Sequence, residues 1–516
     1  MYNHLDVTKM NYNSMLKGKK DEKNYEGAKA YAMTPELELY SAVVTASLSD
    51  SFYEKQDERV NRIARLVGKV SPEFVAHLAV YTRTEMHLRS IPLLLLVELA
   101  KIHNGDDLVA RAVEKTVLRA DEIMELLMCY QWRNPSNDER KKLARLSRQL
   151  QNGLQRAFNR FDEYQFAKYD RDNLEVKLRD ALFLVHPKAK DEPQQVIFDK
   201  IVNRQLEIPY TWETELSALG QQKFESDEAR ARAFAMKWQE LIESGKLGYM
   251  ALMRNLRNIL QCDAPVNAVQ RVCSRLSDAG QVAKSKQLPF RYLSAYREIE
   301  KVNSANTAMM MNALEAAVKC SASNIEGFDD NTRVLLASDV SGSMWSPISQ
   351  HSTVRNFDIG LLLSMLLRNR CKQVVSGIFG DDWKVVNMPT DNILMATRQL
   401  EKLGNSVGFS TNGYKVIDWL IEQEMVMDKV MMFTDMQMWD STGRHKGFEN
   451  SWKEYKKMAP EAKLYLFDLA GYGQLPMRFA EPDVYLIAGW SDRVFDVLSA
   501  IDKGEDALSA INKIEL

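Results

Sequence analysis

Cysteine is scarce in this chain of 516 residues: there are five, scattered at Cys129, Cys262, Cys273, Cys320 and Cys371. The number is odd and no Cys-x-x-Cys pair occurs. The pattern argues against a disulfide framework or a zinc site and for reduced thiols in a cytoplasmic setting. Long apolar runs are missing as well. The densest, residues 91–97 (IPLLLLV), is followed by Glu98 and Lys101. It is too short to span a bilayer and reads as a buried helix, so no membrane association is expected. The first residues lack the basic-then-apolar pattern of a signal peptide. Neither Gly-x-Ser-x-Gly nor a phosphate-binding Gly-x-x-x-x-Gly-Lys is present, and the seven histidines are dispersed. No nucleophile–base motif therefore points to an enzyme. Charge of one sign is also lacking, since the formal net charge is −2. Any binding of nucleic acid has to rest on local patches.

What the chain does have is organised around residues 339–343 (DVSGS). Residues 334–338 (VLLAS) read as a buried strand, and Gly342 supplies a flexible turn before a helical stretch at 359–368. A ligand site is expected where such a strand ends in a doubly wound α/β sheet. Asp339, Ser341 and Ser343 alternate along the loop, so one carboxylate and two hydroxyls can face a single point. These are hard oxygen donors, suited to Mg²⁺ or Mn²⁺. Residues 407–413 (VGFSTNG) offer Thr411 ahead of a helical pattern at Val416, Leu420 and Met427. Residues 430–434 (VMMFT) read as a second strand, with Asp435 at its end. The alternative for these residues is an Asp-capped strand–turn–helix that holds no metal. An Asp339 phosphoryl-transfer nucleophile is disfavoured, because the loop position that would carry a second carboxylate is Ser341.

Ahead of this region the periodicity is helical almost throughout. Thr34-Pro35 and Ser71-Pro72 each place an N-cap before a proline at the first helical position. Paired helices of 12–20 residues with short turns up to about residue 325 suggest an α-solenoid. Residues 1–28 read as a flexible polar arm, and residues 190–195 as a linker.

Residues 140–160 form a basic stretch without acids. Leu143, Leu146, Leu150, Leu154 and Phe158 give one apolar helix face. Lys141, Lys142, Arg145, Arg148, Arg156 and Arg160 accompany it, a single-sign stripe that favours a polyanion. The competing account is a solvated face paired with acids elsewhere in the fold. Arg254 and Asn255 after an apolar segment, and the acid-free loop with Lys284, Lys286 and Arg291, are further candidates for single-stranded RNA.

The Asp-x-Ser-x-Ser…Thr…Asp pattern resembles the metal-ion-dependent adhesion site of von Willebrand factor A domains. That resemblance assigns metal-binding roles to Asp339, Ser341, Ser343, Thr411 and Asp435. The stretches at 249–256 (YMALMRNL), 288–292 (LPFRY), 161–169 (FDEYQFAKY) and 177–187 (KLRDALFLVHP) resemble the Ro autoantigen family of TROVE-domain RNA-binding proteins, in particular its bacterial members.

The family implies a multidomain fold: an all-α HEAT-like helical-repeat ring over 29–328 and an α/β doubly wound von Willebrand factor A-like domain over 329–516. It implies a monomeric, cytoplasmic ribonucleoprotein with a small noncoding Y-like RNA on the outer surface. It further implies single-stranded ends of misfolded RNA at the opening, and a partner 3′-exonuclease such as polynucleotide phosphorylase. By resemblance Lys168, His186 and Arg171 contact the small RNA, and Arg254, Asn255 and Arg291 lie near the opening. Asp170 and Asp172 flank Arg171 and weaken the local field, and His186 could equally cap a helix. A metal-dependent protein-binding or assembly factor without RNA remains the alternative in another class.

Overall fold

The computed structural model describes residues 21–46, 54–135, 145–322, 328–349, 352–443, 447–477, 483–490 and 508–516. They fall into two compact units, one made of residues 1–60 with 248–507, the other of residues 61–247 with 508–516.

The second unit is helical. Ser71 starts the helix Pro72–Thr84 by accepting from the Phe74 N–H at 3.2 Å, with Pro72 in the first turn. Helix Ser90–Ile102 carries the leucine run, and Leu93 through Val97 are buried. Helix Pro72–Thr84 packs on Leu108–Thr116, which in turn packs on Arg148–Phe158. Ser90–Ile102 packs on Ala120–Arg133. Each helix thus meets the one two places on, the arrangement of stacked helical pairs. Leu150, Leu154 and Phe158 are buried as the apolar face required. The helix is shorter than the sequence suggested, starting at Arg148. Residues 190–195 are not a linker: Asp191 caps helix Glu192–Asn203 by accepting from the Gln194 N–H at 2.8 Å. Among the described residues no helix is long and apolar enough to cross a membrane.

In the first unit, strands β1 (Asp21–Lys23) and β2 (Lys29–Ala32) form an antiparallel hairpin, and β2 also pairs with β8 (Gln474–Leu475). The polar arm expected over 1–28 is therefore structured from Asp21 on, and Asn24 is buried in its turn. Helix Pro35–Val44 follows, capped by Thr34.

The second sheet holds β3 (Arg333–Asp339), β4 (Gln373–Phe379), β5 (Trp383–Val385), β6 (Lys429–Thr434), β7 (Lys463–Asp468) and β9 (Val484–Ala488). Its order is β5-β4-β3-β6-β7-β9, parallel throughout except for the antiparallel edge strand β5. The chain leaves β3 outward to β4 and later returns to β6 on the other side. The switch of winding direction thus falls between the carboxyl ends of β3 and β6, where a doubly wound sheet binds ligands. Helix Tyr414–Glu422 ends before Met427, which lies in the loop leading to β6.

Candidate metal centre and basic surfaces

Strand β3 ends on Asp339, whose backbone pairs in register with Phe379 of β4. The chain then turns into a short 3₁₀ segment, Gly342–Trp345. Asp339 Oδ1 accepts from the Ser341 N–H at 2.9 Å, which folds the loop back over the strand end. The Ser341 and Ser343 hydroxyl oxygens lie 3.5 Å apart. The Gly342 N–H donates to the Phe409 carbonyl at 2.8 Å and ties this loop to the one bearing Thr411. Thr411 is buried, and its carbonyl accepts from the N–H of Trp439 in the third loop at 3.2 Å. There Asp435 follows β6 directly, and its Oδ1 accepts from the Gln437 N–H at 3.0 Å. The three loops expected to converge do so at one sheet edge. All five candidate side chains, Asp339, Ser341, Ser343, Thr411 and Asp435, are buried there.

Electrostatics single out the same point. Burial pushes the Asp435 carboxyl far above the usual range, and the neighbouring Asp339 charge pushes it further. The Ser343 hydroxyl and the Gln437 N–H act in the opposite sense. Burial raises Asp339 as well, against hydrogen bonds from Ser341 and Thr434. Asp435 Oδ2 is buried with no hydrogen-bond partner, an expensive state for a carboxylate oxygen. Two adjoining buried acids, two hydroxyls and an unsatisfied oxygen form a donor set that a hard divalent cation would complete.

Sequence reasoning missed some of the supports. Thr434, the last residue of β6, donates its hydroxyl to Asp339 Oδ2 at 2.7 Å. A hydroxyl directly before Asp435 in an otherwise apolar strand was the available signal. The Trp345 indole N–H donates to the Val340 carbonyl at 3.0 Å and braces the first loop. A third buried acid, Asp468, ends β7. It accepts from the Ser41 hydroxyl at 2.5 Å and from the N–H groups of Ala470 and Gly471. Those donors satisfy it, so it belongs to the framework.

The basic candidates are spread over both units. Lys141 and Lys142 lie outside the described residues. Arg145 and Arg148 are exposed and make no ion pair among the described residues. The single-sign stripe is partly neutralised, which corrects the sequence reading. Arg156 pairs with Glu114 of the neighbouring helix at 3.2 Å, and Arg160 donates to the Glu114 and Val117 carbonyls. Lys168 is exposed, its ammonium 5.9 Å and 5.7 Å from the ring centres of Tyr164 and Tyr169. Arg171 is exposed beside Asp170 and Asp172. His186 caps helix Leu178–Val185 in a left-handed conformation (φ 50°), with its side chain exposed.

In the first unit Arg254 and Arg291 both reach the surface, and desolvation, followed by the Arg254 charge, lowers the Arg291 pKa. Lys284 and Lys286 are exposed nearby in sequence. Asn255, by contrast, is buried between two short helices. Its amide donates to the Ala251 carbonyl at 2.9 Å and its oxygen accepts from Asn258 at 2.8 Å. That side chain is committed inside the fold and leaves little for RNA.

Comparison with known proteins adds to this geometry. A TROVE domain model matches residues 38–231 and 203–334, and a Ro60 vWA domain model matches residues 333–501. Telomerase protein component 1 of Mus musculus is 24% identical over 308 residues, covering 46% of this chain and 12% of that protein. The Rattus norvegicus protein of the same name is 22% identical over 320 residues, covering 47% and 12%. This chain thus spans about an eighth of the length of these curated relatives. Among solved structures, the Ro (RSR) protein of Deinococcus radiodurans shares the fold with a TM-score of 0.55 and 17% identity. The match covers 93% of this chain and 99% of that one.

Proposed function

Since this chain belongs to the TROVE-domain family and carries a Ro60-type von Willebrand factor A domain, we propose that it is an RNA-binding scaffold. The observation that carries the reading is the family match together with exposed cations that no carboxylate answers among the described residues: Arg145, Arg148, Lys168, Arg254 and Arg291. In a nearly neutral protein such cations supply phosphate contacts and counterion release. Lys168 between two tyrosine rings offers charge beside stacking surface, which suits unpaired or bulged RNA. The partner we propose is a small structured noncoding RNA of the Y type, with single-stranded ends held near Arg254 and Arg291. RNA turnover would be left to a separate 3′-exonuclease, of which polynucleotide phosphorylase is one, in the cytoplasm.

We further propose that Asp339, Ser341, Ser343, Thr411 and Asp435 hold Mg²⁺ or Mn²⁺. The orphaned Asp435 oxygen supports the fit. When bound, the ion would supply a Lewis-acidic position for a carboxylate of a partner protein. The chain's own loops orient the ligands: the Ser341 N–H and the Thr434 hydroxyl fix the two Asp339 oxygens, and the Gln437 N–H fixes Asp435.

The test is to purify the protein from its own cells and sequence the bound RNA, then repeat with Arg145, Arg148 and Lys168 replaced by Glu. Enrichment of one small structured RNA, lost in the variant, is the expected result. Equal recovery from parent and variant would overturn the assignment.

A further inference from the structure

A cavity of about 440 Å³ opens in the first unit beside the third metal loop. Its walls come from β2, from residues 438–440, and from the starts of helices Tyr414–Glu422 and Phe448–Met458. Aromatic surface is supplied by Tyr31, Tyr414 and the half-buried Trp439. The backbone N–H of Trp439 donates to the Thr411 carbonyl at 3.2 Å, which ties the main chain at Trp439 to the loop bearing Thr411. Two lysines, Lys29 and Lys453, two carboxylates, Asp440 and Glu449, and the amide of Asn450 complete the polar lining.

The carboxylates are anchored. Glu449 accepts from the Tyr31 hydroxyl at 2.8 Å and from Lys453 at 2.7 Å. Asp440 accepts from the Tyr414 hydroxyl at 3.1 Å and from the Thr442 hydroxyl at 2.6 Å. Asp440 accepts from the Thr442 N–H as well, at 2.9 Å, and both acids line the cavity. Both helices begin on a glycine, Gly413 and Gly447, with no side-chain cap, so the positive ends of their dipoles add to the lysine charge.

Several occupants are disfavoured by this lining. A bare phosphate would leave most of the volume empty and would meet two carboxylates. An extended peptide would want a free strand edge, but β2 is paired with β1 on one side and β8 on the other. A ligand that fits has an aromatic face, several hydroxyl donors and an anionic end. We infer that the cavity binds a ribonucleoside monophosphate moiety, with its base on Trp439, its ribose hydroxyls on Asp440 or Glu449, and its phosphate toward Lys29 and Lys453. This rests on the reading of the protein as an RNA binder, and the moiety could arrive as a free nucleotide or as the terminus of an RNA chain.

The experiment is calorimetry on the full chain with AMP, adenosine and dAMP, and with a 5′-phosphorylated decanucleotide. AMP should bind more tightly than adenosine and dAMP, since each of the latter lacks a recognised group. Trp439→Ala should weaken AMP by about tenfold or more, in keeping with base–aromatic stacking, while Trp439→Phe retains binding. Lys453→Ala should weaken AMP and leave adenosine unchanged. If the site serves an RNA terminus, the decanucleotide binds more tightly than AMP and responds to Trp439→Ala. If it serves a free nucleotide, only AMP responds.

Absence of AMP binding at millimolar concentration, or adenosine binding as tightly as AMP, would overturn the inference. So would AMP affinity unmoved in a folded Trp439→Ala variant. An acidic peptide that binds where AMP does not would transfer the cavity to protein recognition. Structured-RNA binding, measured in parallel, separates the two readings. If it persists while AMP fails, the cavity inference alone falls. If AMP binds while RNA does not, the scaffold reading falls.

Discussion

Asp435→Asn should stabilise the protein without metal and weaken it, relative to the parent, once Mg²⁺ is added. Burial, and then repulsion from Asp339, lift the Asp435 carboxyl from 3.8 to about 7. A folded-state value above the unfolded one means that the folded chain keeps a proton which the unfolded chain has released. The associated stability is therefore full below the ordinary carboxylate value and is lost as pH rises toward the folded-state value. At about 1.36 kcal/mol per unit of pKa, a gap of this size corresponds to roughly 4 kcal/mol. Because Asp339 and Asp435 titrate together, one substitution should recover only part of it, on the order of 1–3 kcal/mol. Asn keeps an oxygen for the Gln437 N–H, so the loop should stay in place. The assay is thermal unfolding at pH 5 and pH 8, with chelator and with saturating Mg²⁺. In chelator at pH 8 the variant should melt above the parent, and at pH 5 the gap should be much smaller. Mg²⁺ at pH 8 should raise the parent and leave the variant almost unmoved. A variant that melts below the parent in chelator at pH 8, or that gains as much from Mg²⁺, would refute the reasoning.

Other perturbations test other parts of the molecule. Arg297 and Asp358 form a buried bidentate pair at 2.7 and 2.6 Å, so Arg297→Met should cost about 3–5 kcal/mol in chemical denaturation by stranding the carboxylate. An unchanged midpoint would show that the pair is dispensable. A Cβ on Gly153 would lie 2.6 Å from Val113 Cβ and 2.8 Å from the Ala110 carbonyl oxygen. Gly153→Ala should thus destabilise the helical unit by about 1–3 kcal/mol, read as faster amide exchange in helices Leu108–Thr116 and Arg148–Phe158. Replacing Arg145 and Arg148 by Glu should flatten the salt dependence of RNA affinity by roughly 0.9 log units per lost contact, and an unchanged slope in filter binding would count against both residues. Purified protein with Mg²⁺ should not shorten labelled RNA; shortening that is lost with Asp339→Ala would make it an enzyme.

The convergence of the loops bearing Asp339, Thr411 and Asp435 was legible because its signal is local. A carboxylate at a strand end, with hydroxyls two and four residues on, fixes a loop whatever surrounds it. The same holds for the caps at Thr34 and Ser71. Legibility failed where the deciding partner is remote. The charge on Arg156 is answered by Glu114, 42 positions back in the chain, and inspection of one helix cannot reveal that. Asn255 looked available for RNA because its burial arises from the packing of two short helices. Residues 190–195 were misread on composition, although Asp191-Glu192-Pro193 carries the same cap-and-proline signal that identified the earlier helices. The hairpin β1–β2 was masked by its lysines and by a strand of three residues, too short for periodicity to register.

The pairing of β2 with β8 has a consequence for biosynthesis. Tyr31 lies opposite Leu475, and Ser41 waits for Asp468, so these two residues meet those partners only after more than four hundred others have been made. At translation speeds of ~5–20 residues per second, that interval is roughly 20–90 s. The helical unit is closed late too, because helix Ser509–Asn512 packs on Pro72–Thr84 and Ile511 is fully buried. A nascent chain halted before residue 468 would therefore leave Tyr31 without Leu475 and Ser41 without Asp468. Such chains should engage chaperones on the ribosome for most of their synthesis.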